Sequence, residues 1–182
     1  MNRLAAMMAA LVVGLAALPA QAADPRAALV DAVAQRLSVA DQVALAKWDS
    51  GKAVEDKPRE QQVIDGAVAR GATLGLERDR VARFFADQIE ANKLVQYVLL
   101  ADWRRAGVAP ATPRADLAGA IRPRLDRLQQ HLLQLLAETA ALRHQPDCRE
   151  RFAQLAGAYV RQHDSDALYA IALDRALINV CE

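Results

Sequence analysis

An all-α fold follows from three features of the sequence. Apolar residues recur at intervals of three and four along the chain, no run alternates apolar and polar residues as a half-buried strand would, and helix-start and helix-stop residues punctuate the periodic stretches. The first helix opens at Asp24-Pro25, a capping residue followed by Pro in the first turn, and runs to about Ser50 with Gly51 behind it. Its apolar stripe is Leu29, Val33, Leu37, Ala40 and Val43 or Ala44, and it ends on Lys47. The second helix starts after Asp56, carries Pro58 in its first turn and fades between Gly71 and Gly75. The third gives the strongest signal, from about Asp79 to Ala106, stopped by Gly107, with Val81, Phe84, Phe85, Ile89, Val95, Leu99 and Trp103 on its buried side.

The connection "GVAPATPRAD" leads to a fourth helix from about Asp116 to Leu142. It contains Pro123, which removes a backbone donor and should start or kink the helix near Arg122. Two shorter helices follow, around Arg149 to Arg161 and Ser165 to Val180. The expected architecture is a bundle of about six helices, with the long first, third and fourth around a polar pocket.

Of 182 residues, 53% are apolar and 25% charged, enough for one domain with its own core. A formal net charge of +1, with both signs interspersed, provides no field for nucleic acid or for an anionic membrane. The first residues, "MNRLAAMMAALVVGLAALPAQAADP", combine a basic start, an apolar run, a Pro and the triplet Ala20-Gln21-Ala22. This is the pattern of a signal peptide over residues 1–22, with a single mature domain over 23–182. A membrane anchor or buried helix is the competing reading, but the run is short for a span and the small-x-small site favours cleavage. The mature chain is therefore expected in the periplasm or outside the cell, with no membrane partner after cleavage.

Cys148 and Cys181 lack the C-x-x-C spacing of a redox or zinc site, and an exported chain with an even cysteine count usually pairs them. Two separate buried thiols become the better reading if export fails. His131, His144 and His163 lack ligand spacing, so no metal is expected, and His144 fits a helix C-terminus. No Gly-rich phosphate loop or dinucleotide fingerprint occurs, and no nucleophile stands beside a base.

Several polar residues interrupt apolar faces. Arg36 and Lys47 are eleven positions apart, which on one continuous helix brings them within roughly 20° of the same direction, at the border of the apolar stripe. On the third helix Asn92 and Gln96, four apart, break the stripe between Ile89 and Leu99. Either these groups line a cavity, or Arg36 and Lys47 snorkel to the surface while the two amides bond locally between helices. Arg59 at a helix N-terminus and Arg122 at the Pro123 break add anion-binding groups. A lined cavity of this composition suits a small, multiply anionic molecule held by guanidinium forks, an ammonium and two amides.

At these residues the chain resembles the all-α chorismate mutases, in particular their exported, disulfide-containing subclass. The resemblance spans nearly the whole mature chain. It is carried by "LVDAVAQRLSVADQVALAKW", "VEDKPREQQVI", "VARFFADQIEANKLVQYVLLADW", "DLAGAIRPRLDRL" and the two cysteine positions near "DALYAIAL". It implies that Arg36, Arg59 and Arg122 bind the two carboxylates of chorismate. It further implies that Lys47 reaches a carboxylate and the ether oxygen, and that Gln96 is the second donor to that oxygen. Arg59 joins Lys47 and Gln96 in the implied catalytic set. Asp56 and Glu60 match positions that contact the substrate hydroxyl; Asn92 departs from the Ser or Thr common at its position near a carboxylate.

The implied reaction is the intramolecular Claisen rearrangement of chorismate to prephenate, with no cofactor. The subclass is typically a homodimer in which each chain supplies its own pocket, with the fourth-helix Arg122 in place of an Arg that cytosolic relatives borrow. A non-catalytic periplasmic helical binding protein for an aromatic or dicarboxylate ligand is the alternative use of such a cavity. A helical adaptor with no pocket is a third.

Overall fold

The computed structural model describes residues 24–181; the signal-peptide assignment lies outside the described residues. Helix α1 spans Pro25–Leu37 and α2 spans Ala40–Ser50. Asp24 caps α1 by accepting from the Arg26 backbone N–H at 3.0 Å. The expected first helix is thus divided in two. Ser38 closes α1 with a bond from its N–H to the Ala34 carbonyl, and its hydroxyl donates back to the Gln35 carbonyl at 2.8 Å. Back-bonding of this kind competes with helix continuation, which the apolar period does not register.

Helix α3 covers Lys57–Ala72 and α4 covers Arg78–Ala106, close to their expected limits. Gly107 ends α4 in the left-handed region at φ 71°, a conformation that costs residues with a Cβ 1–2 kcal/mol by rough estimate. The expected fourth helix is broken at both ends: Leu117–Ile121 forms a π-helical turn, α5 runs Arg122–Glu138, and the short α6 follows at Ala140–Arg143. Pro123 sits in the first turn of α5, where its missing N–H is harmless. Thr139 makes the second break, its hydroxyl donating to the Leu135 carbonyl at 2.6 Å. Helices α7 (Cys148–Gln162) and α8 (Ala167–Leu177) complete the bundle, and His144 caps the C-terminus of α6.

The long α4 packs against α2, α3 and α8, while α1 packs against α5, α7 and α8. The main core includes Leu29, Val33, Phe84, Phe85, Leu132, Leu136 and Leu173. A smaller cluster joins α2 to the far end of α4, where Trp48 and Trp103 meet edge to face at 6.2 Å. Cys148 and Cys181 form a disulfide with Cα atoms 5.9 Å apart, tying the start of α7 to the chain beyond α8. Asp87 on α4 accepts from Asn179 at 2.9 Å and from Arg175 at 2.5 Å, and Gln88 donates to the Ala176 carbonyl at 2.8 Å. The disulfide-tethered end of the chain thereby grips α4 one turn before Asn92.

Candidate active site

A cavity of about 180 Å³ opens between α1, α2, α3, α4 and the π-helical turn leading into α5. The side chains named from the sequence all line it: Arg36 and Lys47, Asp56, Arg59 and Glu60, Asn92 and Gln96, and Arg122. Arg36 and Lys47 reach it from either side of the Ser38 break, so the shared-face argument for one continuous helix does not hold. The bend replaces it.

The connection before α5 is pinned rather than loose. Arg114 on this segment pairs with Asp49 at 2.9 Å, and the Ala115 N–H donates to Gln42 Oε1 at 3.0 Å. These ties to α2 bring Leu117, Ile121 and Arg122 to the cavity wall. Arg122 itself is exposed at the rim.

At the start of α3, Asp56 and Glu60 cap the helix reciprocally. Asp56 Oδ1 accepts from the Arg59 N–H at 3.2 Å, and Glu60 Oε1 accepts from the Asp56 N–H at 3.0 Å. The Arg59 guanidinium bonds Gln62 Oε1 at 2.5 Å. The sequence signal at these positions therefore has two sources, helix capping and cavity lining.

Arg36 is 7% exposed, and its guanidinium makes one hydrogen bond, from Nη1 to the Gln88 carbonyl at 3.2 Å. Its Nε is buried with no partner. Burial pushes its pKa down to about 10, so it stays a cation at neutral pH. Among the described residues, no carboxylate lies within ion-pairing distance of Arg36, Lys47, Arg59 or Arg122. A buried unpaired charge costs several kcal/mol by rough accounting, which an anionic ligand would offset. Snorkelling does not describe Arg36.

Asn92 and Gln96 are buried, at 9% and 4% exposed, and Gln96 Nε2 donates to Asn92 Oδ1 at 2.8 Å. Gln96 Oε1 is buried without a partner. The local bond foreseen for these amides exists, but within α4 rather than between helices, and it leaves polar capacity facing the cavity.

Lys93 and Gln129 also line the cavity and were not singled out from the sequence. Gln129, 5% exposed, donates to the Val63 carbonyl at 3.3 Å. It lies in the stripe Leu125, Leu128, Leu132, so the test that found Asn92, a polar residue where the apolar period continues, would have found it.

The profile of chorismate mutase type II matches residues 26–97, the segment that supplies every one of these groups except Arg122 and Gln129. The secreted chorismate mutase of Mycolicibacterium smegmatis is 32% identical over 159 residues, 87% of each chain. This chain belongs to the chorismate mutase family. Among solved structures, the chorismate mutase from Burkholderia phymatum superposes with a TM-score of 0.85 at 48% identity, covering 87% of this chain and 97% of that one. The chorismate mutase from Burkholderia thailandensis gives 0.83 at 38% identity, covering 86% and 99%. The likeness to solved chorismate mutases thus extends well beyond residues 26–97, the reach of the family profile.

Proposed function

We propose that the protein rearranges chorismate to prephenate within this cavity. The observation that carries the reading is the buried Arg36 guanidinium, a cation with no carboxylate partner, facing the same hollow as Lys47, Arg59 and Arg122. Chorismate is a dianion. In this reading Arg36, Arg59 and Arg122 take its two carboxylates and select the folded conformer whose reacting carbons lie close together.

The reaction breaks the ether carbon–oxygen bond as a carbon–carbon bond forms between the enolpyruvyl methylene and the ring. The electrons move in one cycle and no proton is transferred. Negative charge grows on the ether oxygen, and Lys47 and Gln96, as fixed donors there, stabilise the transition state more than the ground state. Asp56 and Glu60 accept from the ring hydroxyl, and Asn92 lies beside Gln96 near a carboxylate.

The mature chain is read as an exported homodimer with each pocket built from one chain. The curated secreted relatives support export, and among the described residues no helix is long and apolar enough to cross a membrane. Incubation of purified protein with chorismate, following its ultraviolet absorbance and identifying the product, tests the reading. Prephenate formation is expected; saturable binding with chorismate recovered intact identifies a binding protein instead.

A further inference from the structure

Lys93 follows Asn92 on α4, lines the same cavity and is 8% exposed. Its ammonium lies 2.7 Å from Glu90 Oε1, 3.3 Å from Glu60 Oε2 and 4.0 Å from Glu55 Oε1. Burial alone would depress its pKa, but the Glu90 and Glu60 carboxylates outweigh that and leave it raised. The Glu90 and Glu55 side chains are about half exposed, at 47% and 50%, whereas Glu60 is at 21%. Glu90 belongs to α4 itself and Glu55 stands only at 4.0 Å, so the contact with Glu60 is the one that ties Lys93 across to α3.

Each oxygen of Glu60 is thereby held from a different helix. The Asp56 N–H at the start of α3 takes Oε1, and Lys93 on α4 takes Oε2. An ionised carboxylate has about four acceptor sites, so two anchors fix its plane and leave capacity for a ligand hydroxyl. We propose that Lys93 is a positioning residue that fixes the Glu60 carboxylate at the hydroxyl-binding end of the cavity, and so sets the preference for a ligand carrying that hydroxyl. This rests on the role given to Glu60 above.

The probe is chorismate with its enolpyruvyl double bond reduced, a lactyl ether that cannot rearrange, prepared with and without the ring hydroxyl. Calorimetry on the wild type should show the hydroxylated compound binding about tenfold more tightly, the effect of one hydrogen bond to a charged acceptor. In Lys93→Met that ratio should fall to within about twofold of unity, while affinity for the deoxy compound changes little. Lys93→Gln, whose donor is too short to bridge to Glu60, should do the same and serves if Lys93→Met does not fold.

A variant that weakens both ligands equally, or neither, overturns the assignment, because a merely structural lysine would not act on the ratio. A wild type indifferent to the hydroxyl overturns it too. Discrimination in binding by a wild type that forms no prephenate would refute the mutase reading and leave the Lys93 assignment standing.

Discussion

Gln96 Nε2 donates to Asn92 Oδ1 at 2.8 Å, one turn earlier on α4, and Gln96 Oε1 is buried with no partner. The amide nitrogen carries two hydrogens, so the bond to Asn92 holds the side chain while leaving a second N–H free for the donor role proposed above. An amide does not titrate. The wild-type rate should therefore change by less than about threefold between pH 5 and 8. Gln96→Glu should act mainly when its new carboxyl is protonated and can donate, so its kcat/KM should rise as pH falls. Parallel pH–rate profiles check this, and a Gln96→Glu enzyme fully active at neutral pH would remove Gln96 from the donor role.

Arg36 predicts a conflict between stability and function. Its pKa in the fold, about 10, lies well below that of a guanidinium in the unfolded chain. Between those values the unfolded chain binds more protons than the folded one, so stability rises with pH there; below about 10 the cost of burying the charge is present in full. Arg36→Met should remove that cost at pH 7. Chemical denaturation should show stability unchanged or raised by about 1 kcal/mol or more, with kcat/KM reduced at least about a hundredfold.

Two glycines of α3 should respond in opposite directions. A Cβ at Gly66 meets nothing closer than Gln129 Nε2 at 3.9 Å, so Gly66→Ala should gain about 0.5–1 kcal/mol from reduced freedom of the unfolded chain. A Cβ at Gly71 would come within 2.9 Å of Val81 Cγ2, a fully buried side chain with no room to yield. Gly71→Ala should cost about 1 kcal/mol or more despite better helix propensity, read from thermal unfolding of both variants.

The Cys148–Cys181 bridge spans a sequence separation of 33, which on the chain-entropy model gives about 3–4 kcal/mol of stability. Its sulfurs stand outside the cavity lining. Replacing both cysteines with Ala should lower the denaturation midpoint by that order while kcat stays within about twofold at temperatures where the variant is folded.

What could be read in advance divides along physical lines. Helix limits at Asp24, Asp56 and Gly107 were legible because caps and left-handed glycines act through their immediate neighbours. The breaks at Ser38 and Thr139 were not, since both residues fit a helical period and break the helix through side-chain bonds to preceding carbonyls. Arg36, Asn92 and Gln96 stood out as polar residues on apolar faces. Lys93 was hidden by its charge, which on a long helix reads as a solvated position, and its burial depends on Glu60 arriving from another helix.

Lys47 carries the proposal that fixed donors in this cavity stabilise charge on a breaking ether bond. Single-turnover conversion of chorismate by wild type and Lys47→Ala at saturating protein tests it most directly. Prephenate is expected from the wild type, with the chemical step slowed at least about a hundredfold in the variant, the cost of one lost transition-state donor. Equal rates for the two proteins, or a wild type that binds chorismate and returns it unchanged, would contradict it.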